Sequence, residues 1–68
     1  PRAIARRLRL AGALFEAEVA ARPCWAGIAA GHRFSDQAHL VRECRAILGA
    51  TPTAVHAARR AMAVSFNS

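Results

Sequence analysis

The spacing of apolar residues in the first third of the chain predicts an amphipathic helix over residues 3–20. Apolar side chains recur there at steps of three and four residues, and at 100° per residue they fall within about 80° of one another. They are Ile4, Leu8, Ala11, Phe15 and Val19. We expect this stripe, widened by Leu10 and Leu14, to face the core. Gly12 lowers the helix propensity and indicates that another helix passes close to it.

The middle of the chain predicts a short helix followed by a turn. Pro23 suits the first turn of a helix that ends at Gly31, with Trp25 and either Ile28 or Ala29 facing inward. The segment "GHRF" then reads as a tight turn, in which the glycine is expected to take a positive φ.

A third helix is predicted from Ser35 to about Leu48, where Gly49 provides a stop. Ser35 is the expected N-cap, and Asp36 suits the positive end of the helix dipole. The predicted inward stripe consists of Leu40, Val41, Cys44, Ile47 and Leu48. The opposite arc holds Ser35, Ala38, His39, Arg42 and Ala46, with Arg45 at its edge.

The last predicted helix begins with Thr51 as cap and Pro52 at the first helical position, and runs to Met62. Its expected core residues are Ala54, Val55 and Ala58. Residues 63–68 are expected to be a frayed tail. No segment has a strand pattern, so the predicted class is all-α, a homeodomain-like small bundle of about four helices that contains a helix-turn-helix.

Charge narrows the range of partners. The chain has ten arginines, no lysine and four acids, for a formal net charge of +6. Such a balance favours a polyanion, either nucleic acid or an anionic membrane surface. Arg2, Arg6 and Arg9 are expected on the solvated side of the first helix. No apolar run approaches the roughly 18 residues of a membrane span, so no transmembrane segment is predicted and the expected location is the cytoplasm.

The polar arc of the third helix fits the chemistry of base recognition. Arginine can fork onto guanine, glutamine can pair with adenine, and a small residue lets the helix approach a thymine methyl. Arginines at the rim can neutralise phosphates. The candidate residues for binding double-stranded DNA are Arg33, Ser35, Asp36, Gln37, Ala38, His39, Arg42 and Arg45.

The stretch "IAAGHRFSDQAHLVRECRAILGATP" (residues 28–52) resembles the second helix-turn-helix of AraC/XylS-type bacterial transcription regulators. The residues at the family's motif positions are Ile28-Ala29, Phe34, the Ser-Asp-Gln triplet at 35–37, His39, Arg42 and the Gly-x-Thr-Pro at 49–52. The resemblance implies a sequence-specific DNA-binding module with its recognition helix at about 35–48. It further implies a preceding helix-turn-helix unit, a sensor domain and contact with RNA polymerase. Residues 1–21 would then form a linker helix, residues 22–62 the helix-turn-helix unit with the final helix, and 63–68 the tail.

Three departures from the family pattern bear on the fold. Arg33 stands where the family has its turn glycine, which would strain a backbone with positive φ. Cys44 and Leu48 replace aromatic residues, so less bulk fills the core.

Other classes of function find less support in the sequence. A basic helical module that docks on an acidic protein or an anionic membrane surface rests on the same charge and on the amphipathic first helix. Cys24 and Cys44 lack metal-finger spacing with His32 or His39, so no metal or cofactor is expected, and both cysteines are expected to be small buried residues. No activated nucleophile, carboxylate pair or phosphate loop is present, so no enzymatic activity is expected.

Overall fold

The computed structural model describes the backbone of residues 2–67 and the side chains of residues 2–63. Over this range the chain forms four helices and no strand, as predicted. They are α1 (Arg2–Glu18), α2 (Trp25–Gly31), α3 (Gln37–Leu48) and α4 (Pro52–Asn67). Pro1 and Ser68, the outermost residues of the expected linker helix and tail, lie outside the described residues. The backbone of α4 continues to Asn67, five residues beyond its expected end at Met62.

The four helices form one small bundle in which α1 contacts each of the other three. Four of the nine buried apolar residues come from α1, so this helix is part of the core rather than only a linker. The core consists of Leu10, Ala13, Leu14, Ala17, Ile28, Ala29, Phe34, Leu40 and Cys44. Trp25, Ile47 and Val55 are partly buried against it.

The predicted inward stripe of α1 is wrong except for Leu10 and Leu14, which were expected to widen it and are buried. Four of its five members are largely exposed, at 58% for Ile4, 67% for Leu8, 70% for Phe15 and 86% for Val19. The buried face is instead the set Leu10, Ala13, Leu14 and Ala17, which lies on nearly the opposite side of the helix. The physical reason is close packing, because alanines bring the helix axis near α2, α3 and α4 where larger side chains would not fit.

The expectation that the arginine side of α1 is solvated is likewise only partly correct. Arg6 forms a two-pronged hydrogen bond with Glu43 of α3, at 2.8 Å from Nε to Oε1 and 2.6 Å from Nη2 to Oε2. Arg9 lies over the ring of Phe34, with its Cζ 5.6 Å from the ring centroid. The arginine side of α1 therefore borders the core and the turn before α3.

The close approach predicted at Gly12 is confirmed. A Cβ at this position would lie 3.2 Å from Nδ1 of His32, which follows the last residue of α2. Nε2 of the same ring lies 2.8 Å from Oε1 of Glu16, so the imidazole spans one turn of α1. The missing side chain at Gly12 makes room for this contact between α1 and the end of α2.

The core residues of α4 also differ from expectation. Ala54 and Ala58 are exposed, whereas His56 is buried and Val55 half-buried. Nε2 of His56 lies 2.8 Å from the carbonyl oxygen of Ala20, which satisfies the buried ring. Its ring also meets Trp25 edge-on, with centroids 6.0 Å apart. A buried imidazole is tolerated here because the turn after α1 offers it a hydrogen-bond partner.

The two cysteines have different surroundings. Cys44 is fully buried beneath α1, as predicted, and burial raises the pKa of its thiol. Cys24 is exposed, contrary to prediction, because it is the residue before the first turn of α2. Both are free thiols.

Candidate nucleic-acid interface

The turn between α2 and α3 has the six-residue hydrogen bond of a Schellman motif, with Arg33 at its left-handed position. The amide of Phe34 donates to the carbonyl of Ala29 at 2.9 Å, a bond that spans six residues and requires a left-handed residue between. Arg33 supplies it, with φ +67°. Gly31 does not take the positive φ that the sequence suggested, since it is still within α2. The family's glycine position is thus a left-handed position here, occupied by an arginine.

Phe34 fixes the direction in which the chain leaves this turn. Its side chain is 5% exposed and belongs to the core. The ring packs edge-on against the imidazole of His39, with their centroids 5.3 Å apart, and the guanidinium of Arg9 stacks over its face. The apolar contact that usually accompanies a Schellman motif therefore anchors the start of α3 to α1.

Asp36 caps the start of α3, whereas the sequence predicts Ser35 in that position. Oδ1 of Asp36 accepts from the amide of His39 at 2.7 Å. The amide of Ser35 donates to Nδ1 of the His39 ring at 3.0 Å. Asp36 and His39, both proposed from the sequence as DNA-contacting residues, are therefore engaged in shaping the turn. A neutral His39 ring that accepts at Nδ1 keeps its remaining N–H on Nε2.

The outward side of α3 is basic and carries no acid. We call the outer face of α3 the set Ala38, Arg42, Arg45 and Ala46, all of which are exposed. Arg42 has alanines four residues before and four residues after it, so no bulky side chain covers its guanidinium from those two positions. Arg33 is exposed at the turn just before this face, and Gln37 is exposed at the first position of α3.

The two acids nearest this face are already paired. Glu43 accepts both bonds from Arg6 on the side of α3 that meets α1, and this hydrogen bonding holds the pKa of its carboxyl below the usual range. Asp36 caps α3 by accepting a hydrogen bond from the amide of His39. By contrast, no hydrogen bond or ion pair within residues 2–63 engages the guanidinium of Arg33, Arg42 or Arg45. The local field at the outer face of α3 is therefore positive.

Sequence reasoning missed Arg9, which adds a positive charge beside the turn. It was assigned to the solvated side of α1, whereas it stacks on Phe34 within reach of the start of α3. Its position follows from the burial of Leu10, Ala13, Leu14 and Ala17, a stripe at i, i+3, i+4 and i+7 that is as regular as the exposed stripe of the same helix.

The predicted inward stripe of α3 is largely confirmed. Leu40 and Cys44 are fully buried, and Val41 and Ile47 are half-buried. Leu48 is 48% exposed, because it is the last residue of the helix before the left-handed Gly49 at φ +76°. α3 is held by one face only, and its outer face is open to solvent.

Comparisons with known proteins add no further constraint. No family model, curated protein or solved structure matches the chain. The resemblance to AraC/XylS-type regulators therefore rests on the motif residues alone. Within the described residues, no three histidine, cysteine, aspartate or glutamate side chains lie together as a metal site would require. None of the helices in that part of the chain has the length and apolar content to cross a bilayer.

Proposed function

We propose that this chain is a sequence-specific DNA-binding module of a bacterial transcription regulator, with α3 as the helix that enters the major groove. The observation that supports it most directly is the outer face of α3, where Arg42 lies between two alanines and the adjacent Glu43 is already paired with Arg6. An arginine in this position can fork onto O6 and N7 of a guanine, and the alanines let the helix approach the base edges.

The rim charges fit the sequence-independent part of such a complex. Arg33 at the turn and Arg45 near the end of α3 flank the outer face and are exposed. Phosphates run along both sides of the major groove, so arginines on either side of a recognition helix set its register. In this proposal Arg42 reads a base, while Arg33 and Arg45 bind phosphate.

The remaining sequence candidates take different roles. Asp36 and His39 build the turn, Ser35 lends its backbone amide to that network, and Ala38 provides clearance. Gln37 is exposed at the first position of α3 and can reach an adenine edge. Base contacts are thus concentrated on Gln37 and Arg42.

A single unit of this size is expected to bind weakly, because one small module buries little surface on DNA. Membership of the AraC/XylS type would supply a preceding helix-turn-helix unit that raises the affinity. It would also supply a sensor domain and a contact with RNA polymerase, and would place the protein in the cytoplasm.

The test is selection from a randomised duplex library followed by gel-shift titration. We expect the parent chain to enrich a short guanine-containing motif. Arg42→Ala should cost about 1–3 kcal/mol on that motif and relax the preference at one base pair. Arg60→Ala is the matched control, since it removes the same charge from an exposed position on α4 and should leave the preference unchanged.

Two outcomes would count against the proposal. One is an Arg42→Ala variant that binds and discriminates as well as the parent. The other is a chain that shows no sequence preference on DNA and binds anionic vesicles with comparable affinity, which would favour the basic interaction module instead.

A further inference from the structure

The exposed side of α1 carries a row of large apolar residues that the fold leaves uncovered. We call this row the apolar ridge of α1: Ile4, Leu8, Ala11 and Phe15, with Val19 directly after the last residue of the helix. Its four larger members are between 58% and 86% exposed, although the same helix buries a separate stripe in the core. Isolated exposed apolar residues are common, but a continuous row of this kind marks a surface that contacts another body.

We propose that the apolar ridge is a self-association surface on which the α1 helices of two copies of this chain pack antiparallel. The spacing of the ridge is that of a helix–helix seam, with steps of four, three and four residues from Ile4 to Phe15. An antiparallel arrangement sets Leu8 opposite Phe15 of the second copy, and Ile4 opposite Val19. The small Ala11 then lies near the two-fold axis, where the backbones come closest.

The charges along α1 favour the antiparallel direction. The first half of the helix carries four arginines and no acid: Arg2, Arg6, Arg7 and Arg9. The second half carries Glu16 and Glu18 and no base. An antiparallel pair brings each basic half against an acidic half, whereas a parallel pair brings like charges together. Arg7 and Glu18 lie on the same flank of the ridge, so they would meet across the two-fold axis.

These groups remain able to pair between copies. Arg7 is exposed and has no hydrogen bond or ion pair among the described side chains. Glu16 and Glu18 each use Oε1 toward a partner in their own chain, His32 and Arg59 respectively, which leaves Oε2 of each carboxylate for a second contact. Because the arginines lie in one half of α1 and the glutamates in the other, a second copy of the helix matches both halves, whereas a uniformly anionic lipid surface would attract only the first.

The available area fits a reversible dimer. The four large side chains of the ridge are 58–86% exposed. Even if both copies buried them completely, the interface would reach at most about 1,000 Å², the lower limit for a specific interface. We therefore expect association that depends on concentration rather than a permanent dimer. The inference does not rest on the proposed DNA binding, since the ridge and the outer face of α3 belong to different helices.

The test is sedimentation equilibrium of the 68-residue chain over a wide concentration range. The expected result is a monomer–dimer equilibrium, weakened about tenfold or more by Leu8→Glu or Phe15→Glu, because each buries an unpaired charge. Met62→Glu is the control, as Met62 is 70% exposed on α4 and should not alter the equilibrium. Circular dichroism establishes that the variants, all at exposed positions, retain the fold.

The relative direction of the two α1 helices is tested by disulfide trapping in a Cys24→Ser background. Leu8→Cys and Phe15→Cys chains, mixed and oxidised with diamide, should form mainly the mixed disulfide. Predominant Leu8→Cys homodimers would overturn the antiparallel arrangement. A chain that stays monomeric at all concentrations, or a dimer indifferent to both glutamate variants, would overturn the proposal and leave the ridge to a different partner. If the chain does not self-associate but binds anionic vesicles through the ridge, the proposal is also overturned, and the ridge is a lipid-binding surface.

Discussion

Replacing Arg33 by glycine should stabilise this protein, although it removes a whole side chain. Arg33 has φ +67° because the bond from Phe34 to Ala29 requires a left-handed residue. For an L-residue with a Cβ that conformation costs about 1–2 kcal/mol. Glycine adopts this conformation without strain, but its greater conformational freedom stabilises the unfolded chain and offsets about 0.5–1 kcal/mol of the relieved strain. The expected net gain for Arg33→Gly is about 0.5–1 kcal/mol.

Thermal and urea unfolding followed by circular dichroism measure this gain. In a chain of this size, 1 kcal/mol shifts Tm by about 4–8 °C, so Arg33→Gly should raise Tm by about 2–8 °C. Arg33→Ala separates the backbone from the side chain, since it removes the charge and retains the Cβ. It should give no stabilisation. Arg42→Gly removes the same side chain from the interior of α3 and should destabilise by about 1 kcal/mol.

DNA binding should move in the opposite direction from stability in Arg33→Gly. If Arg33 binds phosphate, the glycine variant should bind all duplexes less tightly, and the slope of log K against log salt should fall by about 1. A variant that loses stability would refute the strain argument, since it would mean that the arginine side chain contributes more than the left-handed backbone costs. A variant that is more stable and binds DNA equally well would refute the phosphate contact only.

Three further predictions concern the cap, the ion pair and the thiols. Asp36→Ala should cost about 1 kcal/mol in urea unfolding because it removes the cap of α3, whereas Ser35→Ala should have almost no effect, since only its backbone amide is used. The hydrogen bond from Arg6 lowers the pKa of Glu43, so the stability that this pair contributes is present at neutral pH and lost as the pH falls through the lowered pKa. When the free energy of unfolding is measured against pH, Glu43→Gln should therefore show a smaller loss of stability in acid. Cys24 should react with a thiol reagent in the folded protein and Cys44 only on unfolding, and equal rates for the two would contradict the buried position of the second.

The number and order of helices could be predicted because their boundaries are encoded locally. Thr51 and Pro52 start α4 as expected, with the Thr51 hydroxyl accepting from the amide of Ala54 at 3.1 Å. Gly49 ends α3 in the left-handed conformation that favours glycine. Such caps depend on residues within one turn of each other, so the sequence alone carries the information.

Which face of α1 is buried could not be chosen from apolar periodicity alone. Two stripes on this helix are both regular, and the hydrophobic content favours the one with Leu8 and Phe15. The structure buries the other, with Ala13 and Ala17, because burial depends on how closely α2, α3 and α4 approach. That distance is a property of the assembled bundle. The same limitation explains the exposed Ala54 and buried His56 in α4.

The sequence predicts which residues belong to the candidate site, but not which of them hold the turn in place. Spacing on a helical wheel places Arg42 and Ala38 outward, and the structure agrees. It does not reveal that the Nδ1 of His39 is engaged by the Ser35 amide, or that Asp36 and not Ser35 is the cap. Those contacts depend on the path of the turn, which the left-handed Arg33 determines.

The strained turn and the open face of α3 are connected by one chain of contacts. Arg33 turns the backbone so that Phe34 enters the core, and Phe34 in turn packs the His39 ring against the turn. Oδ1 of Asp36 and Nδ1 of His39 are engaged inside the turn, so these two atoms are already hydrogen-bonded. In the proposed complex, base reading therefore falls to Arg42 in the middle of the helix, which has no partner among the described side chains. If α3 enters the major groove as we propose, Arg33 lies beside the groove, where a contact between its charge and a phosphate would offset the cost of its left-handed backbone.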